Sequence, residues 1–296
     1  PSKLNPITDT SIFLAHEIQN KKYKIFYYNP KDLSIINSRV IAKGFFIKFN
    51  YHQKKFFKIL KKQKLDLSNC KFILIRQDPP FNLGYISTTY ILDTIKDKVK
   101  IINNPTSIRN VSEKLYSAKY QKFMPSTIFT QNIDEIKIFF KSHKKVIIKP
   151  IHSYSGNDIH LLNKFNLIFI QKFIKKHNHI MCQKFLHKIS NGDRRVFLIN
   201  GKVCGAISRV PKKGSFLSNM SKGAKPINIK LTKIENKISR LIARDLKKEN
   251  IQFAGIDFID QKLNGDINVT SPTGLKTLFD ISGINLAKTF WKELKA

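Results

Sequence analysis

The densest chemistry in this chain lies in two short segments, Gly255-Ile256-Asp257-Phe258-Ile259 and Asp266-Ile267-Asn268-Val269. Strand alternation sends Asp257 to the face opposite Ile256 and Phe258, and it puts Asp266 and Asn268 together with Ile267 turned inward. Antiparallel pairing of the two segments brings two carboxylates and an amide oxygen within neighbour distance. Such a hard, all-oxygen set suits Mg²⁺, which shares its remaining positions with water and phosphate. A solvated polar hairpin face has the same spacing, and alternation alone does not choose between the two.

Two further constellations carry charge. Val146-Ile147-Ile148-Lys149-Pro150 runs into a polar turn that ends at Ser155-Gly156-Asn157. A lysine closing a buried strand can meet phosphate oxygens, and backbone N–H groups of Ser155 and Gly156 can cradle the rest. Most strand-end lysines are simply exposed, so this pattern is weak alone. Arg194, Arg195 and Arg209 could clamp a carboxylate or phosphate through two parallel hydrogen bonds. A strict two-residue turn at Asn200-Gly201 puts Arg194, not Arg195, on the face of Arg209, and the register stays open. The strand around Gln183, Lys184, Phe185 and Leu186 could offer its backbone to an adenine edge, although a core strand reads the same way.

The elements that must position these groups alternate in type, as expected of mixed α/β. Helical spacing covers residues 8–20, strands cover 23–28, 71–76 and 100–103, and a helix covers 85–96. A further helix opens at Asn104-Pro105-Thr106 and contains Lys114. The prolines of Asp78-Pro79-Pro80-Phe81 require a loop there. The alternation up to residue 111 suggests a parallel sheet with covering helices. Strands 146–149, 158–162 and 180–185 then surround a helix at 167–176. The hairpin 195–199/202–210 is followed by a polar loop at 212–226, a helix at 231–249, the hairpin 255–259/266–269 and a closing helix at 285–294.

Composition bounds the partners. Lys+Arg is 54 against 20 acidic residues, a net charge of +34 in 296 residues. Lysine supplies nearly all of the excess and is spread over every segment; the eight arginines are few for a chain built to read phosphates and bases. Drift in composition therefore fits better than a dedicated nucleic-acid role, and a basic cleft still suits anionic small molecules. Cys70, Cys182 and Cys204 sit in apolar runs with no zinc spacing, as small buried hydrophobes do, and fit a reducing cytoplasm. No run of about 18 apolar residues predicts a membrane span. There is no P-loop, G-x-S-x-G, G-x-G-x-x-G or H-E-x-x-H.

Taken in order, these pieces resemble bacterial glutathione synthetases of the ATP-grasp superfamily. The strings that carry the likeness are Asp78-Pro-Pro-Phe81, Thr89-Tyr-Ile-Leu92, Asn103-Asn-Pro105, Glu113-Lys-Leu115, Ile148-Lys-Pro150, Gly192-Asp-Arg-Arg195, Gly205-Ala-Ile-Ser-Arg-Val-Pro211, Ser218-Asn-Met220, Gly255-Ile-Asp257 and Asp266-Ile-Asn-Val-Thr-Ser-Pro-Thr-Gly274. They span nearly the whole chain. The resemblance implies an α/β (α+β) ATP-grasp fold with an N-terminal parallel-sheet domain at 1–111, a small central lobe at 112–185 and a C-terminal antiparallel-sheet lobe at 186–296.

It also implies roles. Lys114 and Lys149 would meet phosphates and adenine, with Ser155 and Gly156 in the phosphate loop. The backbone of Gln183, Lys184, Phe185 and Leu186 would hold adenine, and Asp193 the ribose. Asp257, Asp266 and Asn268 would ligate two Mg²⁺ ions, with Mn²⁺ as a substitute. Arg195 and Arg209 would be the catalytic cations, and Arg76, Asp78, Arg209, Ser218, Asn219, Ser271 and Thr273 would line the peptide pocket. The implied reaction joins glycine to γ-glutamylcysteine through an acyl phosphate, in a cytoplasmic homo-tetramer. A related ligase with another acceptor amino acid, or a non-catalytic scaffold that binds nucleotide or nucleic acid, are the alternatives.

Departures from the family pattern are local. The glycine-rich phosphate loop reads His152-Ser-Tyr-Ser-Gly-Asn-Asp158, where a left-handed serine would cost roughly 1–2 kcal/mol. Asp266 replaces a glutamate. Leu217, Ala224 and Lys225 stand where arginine, glycine and arginine are expected, and the family's first strand would precede Pro1. Asp257→Asn is expected to stop turnover and leave folding intact.

Overall fold

The computed structural model describes residues 4–50, 56–154 and 156–296. Helix α1 (Thr10–Asn20) starts at Asp9, whose carboxylate accepts from the Ile12 amide, and it buries Ile12, Phe13, Leu14 and Ile18. The next three strands, β1 (Ile25–Ile36), β2 (Arg39–Phe49) and β3 (Phe57–Asp66), form an antiparallel meander. Residues 23–28 were expected to join a parallel sheet; they pair instead with β2, Phe26 opposite Phe46. Parallel pairing among the described residues is confined to β4 (Phe72–Leu74) and β5 (Lys100–Ile102), joined through α2 (Leu83–Asp93). Helix α3 (Pro105–Asn110) follows, with proline in its first turn and the Asn104 side chain accepting from Ser107. It stops at Asn110, so Lys114 lies beyond it, at the entry to the tight 3₁₀ turns of Leu115–Phe123.

The central elements are β6 (Thr127–Thr130), α4 (Ile133–His143), β7 (Val146–Pro150), β8 (His160–Leu162), α5 (Leu167–His177) and β9 (Ile180–Lys184). Their four strands pair in the order β6-β9-β7-β8. The amphipathic helices cover one face, and Ile136, Phe139, Ile170 and Phe173 meet Val146, Ile148 and Cys182 there. Burial pushes the Cys182 thiol up to about 12, in keeping with a small hydrophobe.

The C-terminal elements are β10 (Asp193–Ile199), β11 (Lys202–Val210), β12 (Lys225–Asn228), α6 (Lys233–Lys248), β13 (Phe253–Ile259), β14 (Lys262–Asn268), α7 (Leu275–Ser282) and α8 (Leu286–Glu293). The five strands pair in the order β12-β11-β10-β13-β14. A capping box between Thr232 and Glu235 starts α6, which packs Ile238, Ile242, Ala243 and Leu246 on the sheet. The two lobes meet closely at Gly265, which has φ 82°. That left-handed backbone favours glycine, and a Cβ there would stand 2.4 Å from Met181 Cε, so the methionine end would have to shift where β14 approaches β9.

Among the described residues, no helix is long and apolar enough to cross a membrane.

Candidate active site

A cleft runs between the four-stranded and five-stranded sheets. Its walls include Arg76, Asp78, Lys114, Lys149, Gly156, Gln183, Lys184, Phe185, Leu186, Asp193, Arg195, Arg209, Ser218, Asn219, Asp257, Asp266, Asn268, Ser271 and Thr273. The site residues expected from the sequence are therefore gathered in one place, apart from Arg194, which does not line the cleft, and Ser155, which lies outside the described residues.

The floor is an ion network on β10, β11 and β13. Arg195 donates through Nε to Asp257 Oδ1 and, at 2.8 Å, through Nη2 to Oδ2. Arg209 reaches Asp257 Oδ2 at 2.9 Å and Asp193 at 2.6 and 2.5 Å, and Ser218 Oγ donates to Asp193 at 2.6 Å. All four charged residues are buried. Burial alone would raise Asp257, but the charges of Arg195 and Arg209 overcome it and hold the carboxyl down at about 2. Asp193 shifts the other way, raised by burial and by the neighbouring Asp257 charge against the pull of Arg209. The arrangement resolves the open register. Phe197 pairs with Gly205 while Leu198 pairs with Val203, so Cys204 is an extra residue in β11. That bulge moves Arg209 opposite Asp193, onto the face of Arg195. Arg194 turns to the other face, where it pairs with buried Glu235 at 2.8 Å.

The second hairpin is also irregular. Gly255 pairs with Asn268 and Ile256 with Ile267, but Phe258 pairs with Leu263, so β14 carries extra residues opposite Asp257. Two added residues preserve the alternation, and Asp266 and Asn268 still face the cleft with Asp257. The bulge exposes Asn264 to the lysines. Lys149 donates to Asn264 O at 3.1 Å, to its Oδ1 at 3.0 Å and to Gln183 Oε1 at 3.4 Å. Lys114 donates to Ser153 O at 2.9 Å. Each lysine stands 3.5 Å from a different oxygen of Asp266. Burial lowers the Lys149 pKa, opposed by Asp266 and aided by Lys114. In turn the two lysines outweigh burial at Asp266 and lower its pKa.

Asn268 Oδ1 is buried without a hydrogen-bond partner. An orphaned amide oxygen beside two low-pKa carboxylates fits a hard cation.

Two loops close over the cleft. In the described part of the phosphate loop, left-handed backbone falls at Gly156 (φ 73°) and Asp158 (φ 54°) and not at Ser153. Aspartate tolerates that region well, so there the expected serine strain is absent. A Cβ on Gly156 would meet Asn219 Oδ1 at 2.5 Å and Leu217 Cδ2 at 3.6 Å. The residue in the arginine's place is thus packed against the phosphate loop. Asn264, Glu113, Asp9 and Ser11 also line the cleft and were not singled out from sequence. Glu113 fixes the Thr270 end of the site by accepting from the Val269 and Thr270 amides at 3.1 and 3.2 Å. Its signal was available, since it opens the Glu113-Lys-Leu115 string. Asn264 had none short of knowing the bulge.

Residues 1–109 match the N-terminal domain of prokaryotic glutathione synthetase and residues 113–283 match its ATP-grasp domain. The chain belongs to the prokaryotic glutathione synthetase family. It is 31% identical to a glutathione synthetase of Rhodopseudomonas palustris, over 100% of this chain and 95% of the relative. It is 34% identical to one from Buchnera aphidicola subsp. Baizongia pistaciae, over 97% and 90%. Among solved structures, the ATP-grasp ligase PsnB with a minimal precursor, Mg and ADP superposes with a TM-score of 0.60 at 11% identity, covering 96% of this chain and 94% of that one. That likeness speaks for the ATP-grasp fold. The cleft of this chain lies between the four-stranded and five-stranded sheets and is walled by charge.

Proposed function

We propose that this member of the family joins glycine to γ-glutamylcysteine with ATP in the cleft between the two sheets, giving glutathione, ADP and phosphate. The observation that carries the reading is the convergence of Lys114, Lys149, Arg195 and Arg209 on Asp257, Asp266 and Asn268. Four cations around a cluster of oxygen donors suit a triphosphate and a carboxylate, both of which repel each other without such neutralisation.

Lys149 and Lys114 are placed to exchange their 3.5 Å contacts with Asp266 for phosphate oxygens. The amides of Lys184 and Phe185 already donate to Ser126 O and Lys145 O. Adenine recognition therefore falls to Leu186 and to the carbonyl groups of this strand, with Asp193 towards the ribose. Asp257, Asp266 and Asn268 would hold Mg²⁺, two ions in the family's manner, with Mn²⁺ as a substitute. When bound, the metal neutralises charge on the transferring phosphoryl group.

In the first step a cysteinyl carboxylate oxygen bonds to the γ-phosphorus while the bond to the bridging oxygen breaks, releasing ADP and forming an acyl phosphate. In the second, the glycine nitrogen bonds to the acyl carbon, the carbon–oxygen bond to phosphate breaks, and the nitrogen loses a proton. Arg195 and Arg209 hold the reacting carboxylate and phosphate side by side, so orientation and charge replace a protein nucleophile. A tetramer in a bacterial cytoplasm belongs to the same reading, and light scattering would test the assembly. Coupled ADP release is expected to require both γ-glutamylcysteine and glycine. Equal ADP release when either is left out would overturn the proposal.

A further inference from the structure

The loop that joins β7 to β8 covers the phosphate end of the cleft, and its two limbs are held in different ways. On the entry limb Ile151 is buried and Lys114 donates to Ser153 O at 2.9 Å. The exit limb returns to β8 through Asp158, in left-handed backbone at φ 54°. Oδ2 of Asp158 accepts from Lys176 Nζ at 2.7 Å and stands 3.1 Å from His177 Nε2. Both partners belong to the last turn of α5, where the helix dipole favours positive charge. That turn is itself fixed, because Ile170 and Phe173 are buried in the core of the central lobe and the His177 ring centre lies 4.6 Å from that of Phe173. A hollow of about 380 Å³ opens between loop and helix, with His152, Tyr154, Asn157, Asp158, Lys176 and His177 in its lining. The polar contacts of Asp158 therefore bridge a gap that apolar packing leaves open. Asp158 does not line the cleft, although Gly156 and Ile159 on either side of it do.

Resting on the glutathione-synthetase reading, we propose that Asp158 is a positioning residue, whose contacts with Lys176 and His177 tether the phosphate loop to α5 and set it over the triphosphate before ATP arrives. Its action passes through the loop backbone to Gly156 and the amide groups beside it; it touches no substrate. A loop of glycines has many backbone conformations to lose when a ligand is bound. Here Ser153 and Asp158 narrow that freedom. The residue that takes the left-handed turn is also the anchor, so part of the ordering is complete in the empty enzyme. The charges agree with the geometry. The hydrogen bond from Lys176 leads in lowering the Asp158 pKa, so the carboxylate is ionised at neutral pH. Burial leads in lowering that of His177, with Lys176 and His160 adding to it and Asp158 opposing. Near neutral pH the lysine thus supplies the charge and the imidazole is a neutral partner. The Asp158 and Lys176 side chains are 38% and 65% exposed, so solvent screens the pair and the expected effect is several-fold rather than orders of magnitude.

The test uses the full chain and Asp158→Asn, which keeps the size of the side chain and its tolerance of left-handed backbone but removes the charge. KM for ATP is expected to rise about fivefold, with KM for γ-glutamylcysteine unchanged, because fewer empty molecules hold the loop ready. Hydrogen exchange of the amides of residues 151–159 is expected to quicken about fivefold in the nucleotide-free variant, and a saturating non-hydrolysable ATP analogue is expected to erase the difference. His177→Phe keeps a ring against Phe173 and is expected to raise KM for ATP about twofold; added to Asp158→Asn it should raise KM no further, since both act through one contact. An unchanged KM for ATP in Asp158→Asn overturns the proposal, and so does unchanged loop exchange. Equal rises in KM for ATP and for γ-glutamylcysteine, or full additivity with His177→Phe, overturn it too. If Asp158→Asn does not fold, Lys176→Met, at an exposed side chain, decides by the same readouts. A wild type releasing no ADP with γ-glutamylcysteine and glycine would remove the ligase reading itself, whereas loop exchange in the nucleotide-free protein tests the tether separately.

Discussion

The two walls of the cleft hold their charges in different ways. On the five-stranded sheet, Arg195 and Arg209 grip Asp257 and Asp193 through paired hydrogen bonds, with Arg209 at 2.5–2.9 Å from its partners. Across from them, Lys114 and Lys149 stand 3.5 Å from Asp266 and rest mainly on carbonyl and amide oxygens. Arginine keeps its proton and its planar fork fixes direction, whereas a lysine is a point charge on a flexible stem. On the proposed reading, the first wall stays as it is and the second gives up its partners to a triphosphate. Permanence and exchange are separated by residue type.

The sharpest way to break this contrast is Asp257→Asn. Beyond its proposed place among metal-binding oxygens, Asp257 is the only described carboxylate in contact with Arg195 and one of two in contact with Arg209. Turnover is expected to fall by at least about 1000-fold. Stability should fall as well, by about 3–5 kcal/mol, because a buried charge is left without its partner. The expectation of intact folding is thereby revised. Denaturant midpoints within about 1 kcal/mol of wild type would show that the arginine floor is not a structural unit. Lys149→Met should behave in the opposite proportion, with KM for ATP up about 100-fold and stability changed by no more than about 1 kcal/mol. A large loss of stability with normal ATP affinity would reverse the assignment of the two walls.

Which parts of this could be read from the chain follows from the range of the interaction. The face shared by Asp257, Asp266 and Asn268 survived because two bulged residues restore the period-two alternation. Arg195 could not be told from Arg194 because one extra residue, Cys204, inverts the faces. No local pattern announces either bulge. The meander of β1, β2 and β3 was missed beyond its first strand: β3 exposes five consecutive residues, Lys58 to Lys62, so no apolar alternation marks it. Lys114 was put in a helix because nothing in the sequence forecasts that α3 ends at Asn110. The contacts of Asn264 with Lys149 span 115 residues and depend on the lobes being docked.

Acid should separate the walls by a smaller margin. Asp257 lies at about 2 against an ordinary 3.8. A depressed carboxyl contributes stability that is fully present above about pH 4 and is lost as the pH falls towards 2, here about 2 kcal/mol. Asp193, shifted upward, opposes part of that loss because the folded state binds its proton more readily. Urea midpoints at pH 6 and pH 3 should therefore differ in the wild type and differ less in Asp257→Asn. Equal pH dependence in the two proteins would mean that the floor carboxylate is not held low by its arginines.

The smallest expected effect concerns the contact between the loops that cover both walls. Gly156 has φ 73° and Gly214 has φ 83°, so alanine is strained at either, at about 1 kcal/mol. Only at Gly156 does the added methyl collide, 2.5 Å from Asn219 Oδ1; at Gly214 nothing lies within 4 Å. The pair therefore separates backbone strain from loop closure. Gly156→Ala is expected to raise KM for ATP about tenfold, since the phosphate loop can no longer rest against Asn219, and Gly214→Ala is expected to leave KM unchanged at a similar cost in stability. If both variants lose ATP affinity equally, strain in the loops suffices and the contact between them plays no part in holding the nucleotide against the exchangeable wall.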